Sequence, residues 1–218
     1  MFDLATNPDN AARAGCVGIL LAAGRGRRYA DATAGQDKLL APLGDGTPVV
    51  VAAATSLRAA AGRIVAITRA DNAQVAALLE AAGCEVLTTA PDADGMGDTL
   101  ATAVRHVMQT SHSHVQACLV ALGDMPWILP DTCVRVAAAA RQHPIVVPAW
   151  NGQRGHPVAF QRSVWPALAT LAGDVGARGV VARYGAVELA VEDAAVCADV
   201  DTPDDLAAAA RGGQSARR

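Results

Sequence analysis

The sequence predicts an α/β domain built on a mostly parallel sheet, and three observations carry that prediction. Short apolar runs recur along the chain, alanine-rich stretches of helical character separate them, and glycine or acidic loops follow directly on several of the runs. Strands separated by helices read as βαβ units, whose ligands bind beyond the carboxyl ends of the strands. The 218 residues suffice for one sizeable core. The expected organisation is a flexible lead-in over residues 1–15, a single domain over 16–211 and a flexible tail over 212–218.

Taken in order, Val17–Ala22 is a continuous apolar run, as expected of a parallel strand buried on both faces. Pro48–Ala61 follows as a helix with proline at its start after Thr47. Arg63–Thr68 and Glu85–Thr88 read as strands around a helix at Asn72–Ala82. Asp71 sits at the head of that helix, and Gly62 and Gly83 stand where glycines close helices. Thr99–Thr110 is the next helix, then come a strand at Ala117–Leu122 and a helix at Pro130–Gln142. Strands at Ile145–Val147, Val158–Phe160 and Val187–Val191 alternate with helices at Trp165–Leu171 and Ala177–Tyr184. Trp150-Asn151-Gly152-Gln153 reads as a tight turn between two late strands, and Pro203–Arg211 as a last helix headed by Thr202. The loops after Ala22, Thr88, Leu122 and Phe160 are therefore the expected ligand loops.

Composition narrows the function. Hydrophobic residues make up 52% of the chain and aromatics only 3%, so the core is expected to be aliphatic. A net charge of −3 gives no basic footprint for nucleic acid. No apolar run approaches the roughly 18 residues of a membrane span, and the amino terminus lacks the basic-then-apolar pattern of a secretory signal. Five cysteines without a C-x-x-C pair suit a reduced, cytoplasmic chain rather than a zinc or disulfide framework.

The chemistry gathers at the loops. Ala23-Gly24-Arg25-Gly26-Arg27-Arg28 follows the first strand, and backbone amides with arginines in such a turn suit phosphate oxygens. Tyr29 excludes the dinucleotide fingerprint, and no G-K-[ST] closes a Walker loop. The same residues also fit a plain turn with solvated arginines. Asp124 stands at the mouth of the apolar Ala117–Leu122 run; it lies too early to cap the Pro130 helix and reads as a ligand for a hard cation. In Ala198–Asp205, Thr202 caps while Asp204 and Asp205 complement a helix start, which leaves Asp199 and Asp201 on one side of an extended segment. Arg154 and His156, flanked by Gly152 and Gly155, offer two donors to an anion. Gly95-Met96-Gly97 and Gly173-Asp174-Val175-Gly176 are glycine loops entering helices, the second with Arg178 on its first turn. His112 and His114 have metal-ligand spacing but read as a solvated loop.

With its flanks, Leu21-Ala22-Ala23-Gly24-Arg25-Gly26-Arg27-Arg28 followed by Lys38-Leu39-Leu40 resembles the signature of the MobA/MocA-like nucleotidyltransferases, closest to the molybdenum cofactor cytidylyltransferases. Gly95-Met96-Gly97, Gly123-Asp124-Met125-Pro126, Gly152–Val158, Gly173–Arg178 and Asp199–Asp205 extend the resemblance from residue 17 to about residue 210. The stretch between Arg28 and Lys38 is longer than the family pattern.

The resemblance implies a Rossmann-like three-layer α/β/α fold whose later part lies over the nucleotide site. It implies Mg²⁺-dependent transfer of CMP from CTP to the phosphate of molybdenum-molybdopterin, giving the cytosine dinucleotide and pyrophosphate. Leu21, Ala22, Ala23, Gly24, Arg25, Gly26, Lys38, Gly95, Met96, Gly97, Thr99 and Gly123 would hold the nucleotide, with Arg25, Lys38 and Asp124 catalytic. Asp124, then Asp201, then Asp199 would bind the metal, and Arg154, His156, Asp174 and Arg178 the acceptor. Ala23 in L-A-A-G points to cytosine, and a molybdenum hydroxylase would receive the cofactor. Alternatives of the same fold are a sugar- or polyol-phosphate nucleotidyltransferase and a non-catalytic molybdopterin-binding chaperone. Intact Lys38, Asp124 and Asp201 speak against the last.

Overall fold

A computed structural model describes residues 13–90 and 95–208. Most of the expected lead-in, the Pro91–Asp94 approach to the second glycine loop and the whole expected tail lie outside the described residues. Strands β1 (Cys16–Ala22), β2 (Arg63–Thr68), β3 (Glu85–Thr88), β4 (Ala117–Leu122), β5 (Ile145–Trp150), β6 (Gln153–Arg154), β7 (Val158–Gln161) and β8 (Val187–Ala190) form one sheet. Its order is β3-β2-β1-β4-β7-β5, with β6 and β8 both pairing β5. Strands β1, β2, β3 and β4 are mutually parallel, β7 runs against both β4 and β5, and β8 is parallel to β5.

The helices include α1 (Arg27–Ala32), α2 (Val49–Arg58), α3 (Ala73–Ala81), α4 (Met96–Thr110), α5 (Pro130–Ala139), α6 (Trp165–Leu168) and α7 (Arg178–Tyr184), and the described residues 203–208 are helical as well. Side chains of a strand alternate between faces, and both faces of this sheet are apolar. Leu20, Ala66, Leu119 and Val146 pack with Leu57, Leu79 and Val136 from α2, α3 and α5. Their neighbours Ile19, Ile67, Val120 and Val147 pack with Leu100, Val104, Leu168 and Val180 from α4, α6 and α7. The result is the expected three layers, and none of the described helices is long and apolar enough to cross a membrane.

Most elements lie where the periodicity puts them, and the departures have physical causes. The short helix α1 was expected to be loop, since its N-cap, Gly26, provides no side-chain cap. Helix α4 starts at Met96 rather than Thr99, because its first turn docks on a distant loop described below. Pro148 marked the expected end of β5. Its carbonyl instead accepts the Gly155 N–H at 2.9 Å, and the strand runs on into the β5–β6 hairpin through Asn151 and Gly152.

Candidate active site

Register brings the strand ends level: Ala22 lies beside Thr68, Leu21 beside Leu122 and Thr68 beside Thr88. The chain leaving each strand there builds the rim of a cavity of about 500 Å³. Leu21, Ala22, Ala23, Gly24 and Arg25 line it from β1, and Leu122 and Asp124 from β4. Gly95, Met96 and Thr99 come from the start of α4, Asp174 from the loop before α7, and Lys38 from the 3₁₀ turn Lys38–Leu40.

Lys38 is the centre of the site. Its buried ammonium lies 2.7 Å from Asp124 Oδ2 and 3.0 Å from Asp201 Oδ1. Burial alone would lower its pKa, but attraction and hydrogen bonds from Asp124, then Asp201, outweigh that and raise it, so the charge is held. Neighbouring Asp37 fixes the turn. One of its oxygens accepts the Leu39 amide at 2.9 Å, and the other accepts Asn72 Nδ2 at 2.6 Å. Arg69, just past β2, donates to the Gly24 carbonyl at 2.7 Å and to Asp71 at 2.8 Å, tying the loop after β1 to the loop after β2. Arg69, Asp71, Thr89 and Leu39 also line the cavity, and sequence reasoning did not single them out. Their membership follows from strand order and register, which no local pattern carries.

Asp124, Asp199 and Asp201 offer carboxylate oxygens that all lie within 4.8 Å of one another. Asp124 Oδ1 is sealed from solvent and accepts no hydrogen bond among the described residues. A buried acceptor without a partner beside two more carboxylates fits a hard divalent cation. Asp199 has its pKa raised, by burial first and then by the charges of Asp201 and Asp124. Arg28 on α1 pairs with the other oxygen of Asp201.

Asp199 and Asp201 arrive on a strap that has no strand of its own. The Val200 amide donates to the Asp124 carbonyl at 2.9 Å, and the His156 amide to the Val196 carbonyl at 2.9 Å. Gly155 makes the second contact possible, since a Cβ there would stand 2.0 Å from the Val196 carbonyl oxygen. Asp205 Oδ2 accepts the amides of Asp201 and Thr202 and the Thr202 hydroxyl, so the capping is done by Asp205, while the Thr202 hydroxyl, expected to cap, donates instead.

Gly26, Gly97, Gly123, Arg154, His156 and Arg178 lie outside the cavity lining, as do Asp199 and Asp201, whereas Gly95 and Thr99 belong to it. Gly26 packs over the Lys38 stem, and Gly123 donates its amide to the Leu21 carbonyl. Gly97 donates to the Gly173 carbonyl at 2.8 Å while Asp98 accepts the Gly173 amide at 3.0 Å, so the two glycine loops interlock. A Cβ on Gly95 would stand 2.3 Å from the Gly173 carbonyl. Thr99 turns its hydroxyl to the Gly95 carbonyl. Arg154 is paired with Glu188 of β8. His156 has Nδ1 sealed and without a hydrogen bond among the described residues; burial lowers its pKa against the opposing pull of the Val120 carbonyl and Asp124. Arg178 opens α7 as an exposed residue.

A buried lysine between carboxylates at a strand-end cavity is an arrangement suited to phosphate chains and a divalent cation. The model of the MobA-like NTP transferase domain matches residues 18–189, and the chain belongs to that family. It is thus a nucleotidyltransferase. The crystal structure of Rv0371c from Mycobacterium tuberculosis H37Rv is similar at 30% identity and a TM-score of 0.71, over 89% of this chain and 96% of that one. The same protein in complex with manganese is similar at 29% identity and 0.71, over 89% and 97%. The molybdopterin-guanine dinucleotide biosynthesis protein A of Archaeoglobus fulgidus shares the fold at 20% identity, with a TM-score of 0.66 over 91% of this chain and 99% of that one. Comparison with curated protein sequences gives no match.

Proposed function

We propose that the protein transfers CMP from CTP to the phosphate of molybdenum-molybdopterin and releases pyrophosphate. The observation that carries this is Lys38 held between Asp124 and Asp201 at the head of the cavity, beside the Ala23-Gly24-Arg25 loop. An acceptor phosphate oxygen forms a bond to the α-phosphorus of CTP while the bond from that phosphorus to the bridging oxygen breaks. The nucleophile is already an anion, so placement and charge neutralisation suffice and no general base is needed.

Asp124, Asp201 and Asp199 would hold Mg²⁺, which neutralises the triphosphate and polarises the α-phosphoryl group when bound. Arg25 and Lys38 stabilise the charge that grows on departing pyrophosphate, above the amides of Gly24 and Gly26. The Leu21-Ala22-Ala23-Gly24 pattern, with alanine at position 23, supports cytosine as the base. Asp174, in the loop before α7, and Arg178, at the start of α7, would receive the acceptor. Arg154 joins them by exchanging Glu188, an exposed partner of small energetic worth. His156, sealed beneath the site, acts on the acceptor only through its neighbours. A molybdenum hydroxylase would take up the product, and the work belongs to the cytoplasm.

The test is pyrophosphate release with each nucleoside triphosphate, Mg²⁺ and either molybdopterin or a sugar-1-phosphate. Turnover with CTP and molybdopterin is expected. Turnover with the sugar phosphate but not molybdopterin overturns the acceptor, and preference for GTP overturns the role of Ala23.

A further inference from the structure

Asp193 is a carboxylate with only 6% of its surface exposed, and it stands outside the cavity. Its Oδ2 accepts the Leu129 amide at 2.9 Å and the Thr132 hydroxyl at 2.7 Å. Its Oδ1 accepts the Ala195 amide at 3.1 Å. Leu129 and Thr132 form the first turn of α5, whose own N-cap residue, Leu129, provides no side-chain cap. A carboxylate from far along the chain therefore does the capping, with the helix dipole favouring its charge. An ionised carboxylate is costly to bury unless such bonds satisfy it.

The two segments that meet at Asp193 are the two that supply the carboxylate cluster. One runs from Asp124 through Met125 and Ile128 into α5, both side chains buried. The other begins at Asp193 itself, forms the 3₁₀ turn Ala194–Cys197, and continues to Asp199 and Asp201. A serine or aspartate at position 129 would cap α5 locally, through the amides of its first turn. A cap from position 193 does something more, since it sets the distance between the strap and the Asp124 loop.

We propose that Asp193 is a positioning residue for the metal site: it pins the strap to the first turn of α5, so that Asp199 and Asp201 converge on Asp124. The inference rests on reading those three carboxylates as cation ligands. Groups that orient ligands from behind change metal affinity by about 10–100-fold when removed.

The experiment is titration of the nucleotide-free full chain with Mn²⁺ by calorimetry, well below the melting temperature, for wild type, Asp193→Ala, Asp193→Asn and Thr132→Val. CTP binding in EDTA is measured in parallel. Asp193→Ala should weaken Mn²⁺ by at least about 10-fold, and Asp193→Asn, which keeps an acceptor oxygen, by less. Thr132→Val should give a smaller loss of the same sign, and CTP binding in EDTA should stay at the wild-type level. Should Asp193→Ala fail to fold, the other two variants decide. Wild-type Mn²⁺ affinity in folded variants whose melting temperature alone has dropped overturns the inference. Absence of Mn²⁺ binding by the wild type overturns the metal site itself, and the inference with it.

Discussion

Asp124 and Asp201 touch the same lysine, yet they are delivered in opposite ways. Asp124 leaves a central parallel strand two residues before it, and backbone bonds from Gly123 to Leu21 and from Met125 to Leu122 hold that exit. Asp201 and Asp199 hang on a strap late in the chain, fastened by backbone bonds to Asp124 and His156 and by the bonds of Asp193 to Leu129 and Thr132. A sheet positions a side chain as a by-product of its own pairing. A strap must be positioned by residues that have no other task, so its geometry depends on a few individually replaceable contacts.

The largest expected effect is on the strand-borne side. Asp124→Asn removes one charge from a cluster meant for a cation and leaves the backbone intact. Several kcal/mol of charge stabilisation are at stake, so turnover should fall by more than about 10³-fold with the melting temperature little changed. Near-wild-type pyrophosphate release would remove Asp124 from the mechanism and dissolve the contrast.

Lys38→Met comes next. It keeps an apolar stem and deletes the charge that both carboxylates share, so kcat should fall by about 10²–10³-fold, more than triphosphate binding weakens. Weaker binding at unchanged kcat would make Lys38 a uniform phosphate clamp. The variant also leaves Asp124 and Asp201 facing each other without their common cation. Added Mn²⁺ should therefore raise its melting temperature by more than it raises that of the wild type.

How far each side was legible in the sequence follows the same division. β2, β3 and β4 have the bounds expected from the sequence, and Asp124 was readable because a charge at the end of an apolar run has few uses. Asp199 and Asp201 were readable only after helix capping had accounted for Asp205, which does cap. Helix α1 was not legible, because Gly26 supplies no cap signal, and with it went the Arg28–Asp201 contact. Asp37 read as part of a solvated face, Arg69 gave no signal, and the cap of α3 was expected at Asp71 but falls on Asn72. Asn72 does cap α3, through the Val75 amide, while its other group grips Asp37. Asp193 reads at most as the cap of its own short turn, through the Ala195 amide, since its partners on α5 lie more than sixty residues away. Periodicity reports what a residue does for its own element; it is silent on what that residue does for a neighbour brought up by topology.

Gly155→Ala attacks the strap at its socket. The new Cβ would stand 2.0 Å from the Val196 carbonyl oxygen, so the strap must move or β6 must. Such overpacking costs about 1–3 kcal/mol of stability. Because the strap carries two of the three carboxylates, Mn²⁺ affinity should fall as well, whereas CTP binding in EDTA should not. Loss of stability with undiminished Mn²⁺ affinity would mean that the strap keeps its geometry by some means other than this contact.

The smallest effect, and the one that most sharpens the contrast, belongs to Asp199. It is the most exposed of the three acids, and its pKa is raised by burial and then by Asp201 and Asp124. Asp201→Asn should be severe in turnover because Asp201 also holds Lys38, while Asp199→Asn should cost only about 10-fold, the lower end expected when a site keeps its main ligands. The metal-free protein offers a second readout with a definite sign. A carboxyl whose pKa is raised by folding keeps its proton to higher pH in the folded chain than in the unfolded one. Its contribution to stability is therefore present in acid and lost as pH rises through the raised value. In EDTA at neutral pH the ionised Asp199 works against the fold, so Asp199→Asn should melt slightly higher than the wild type. Below the ordinary carboxylate range the two should melt together, because both side chains are then neutral. A variant that melts lower than the wild type at neutral pH would show that Asp199 is held by a favourable partner, and the strap would then be as firmly built as the strand.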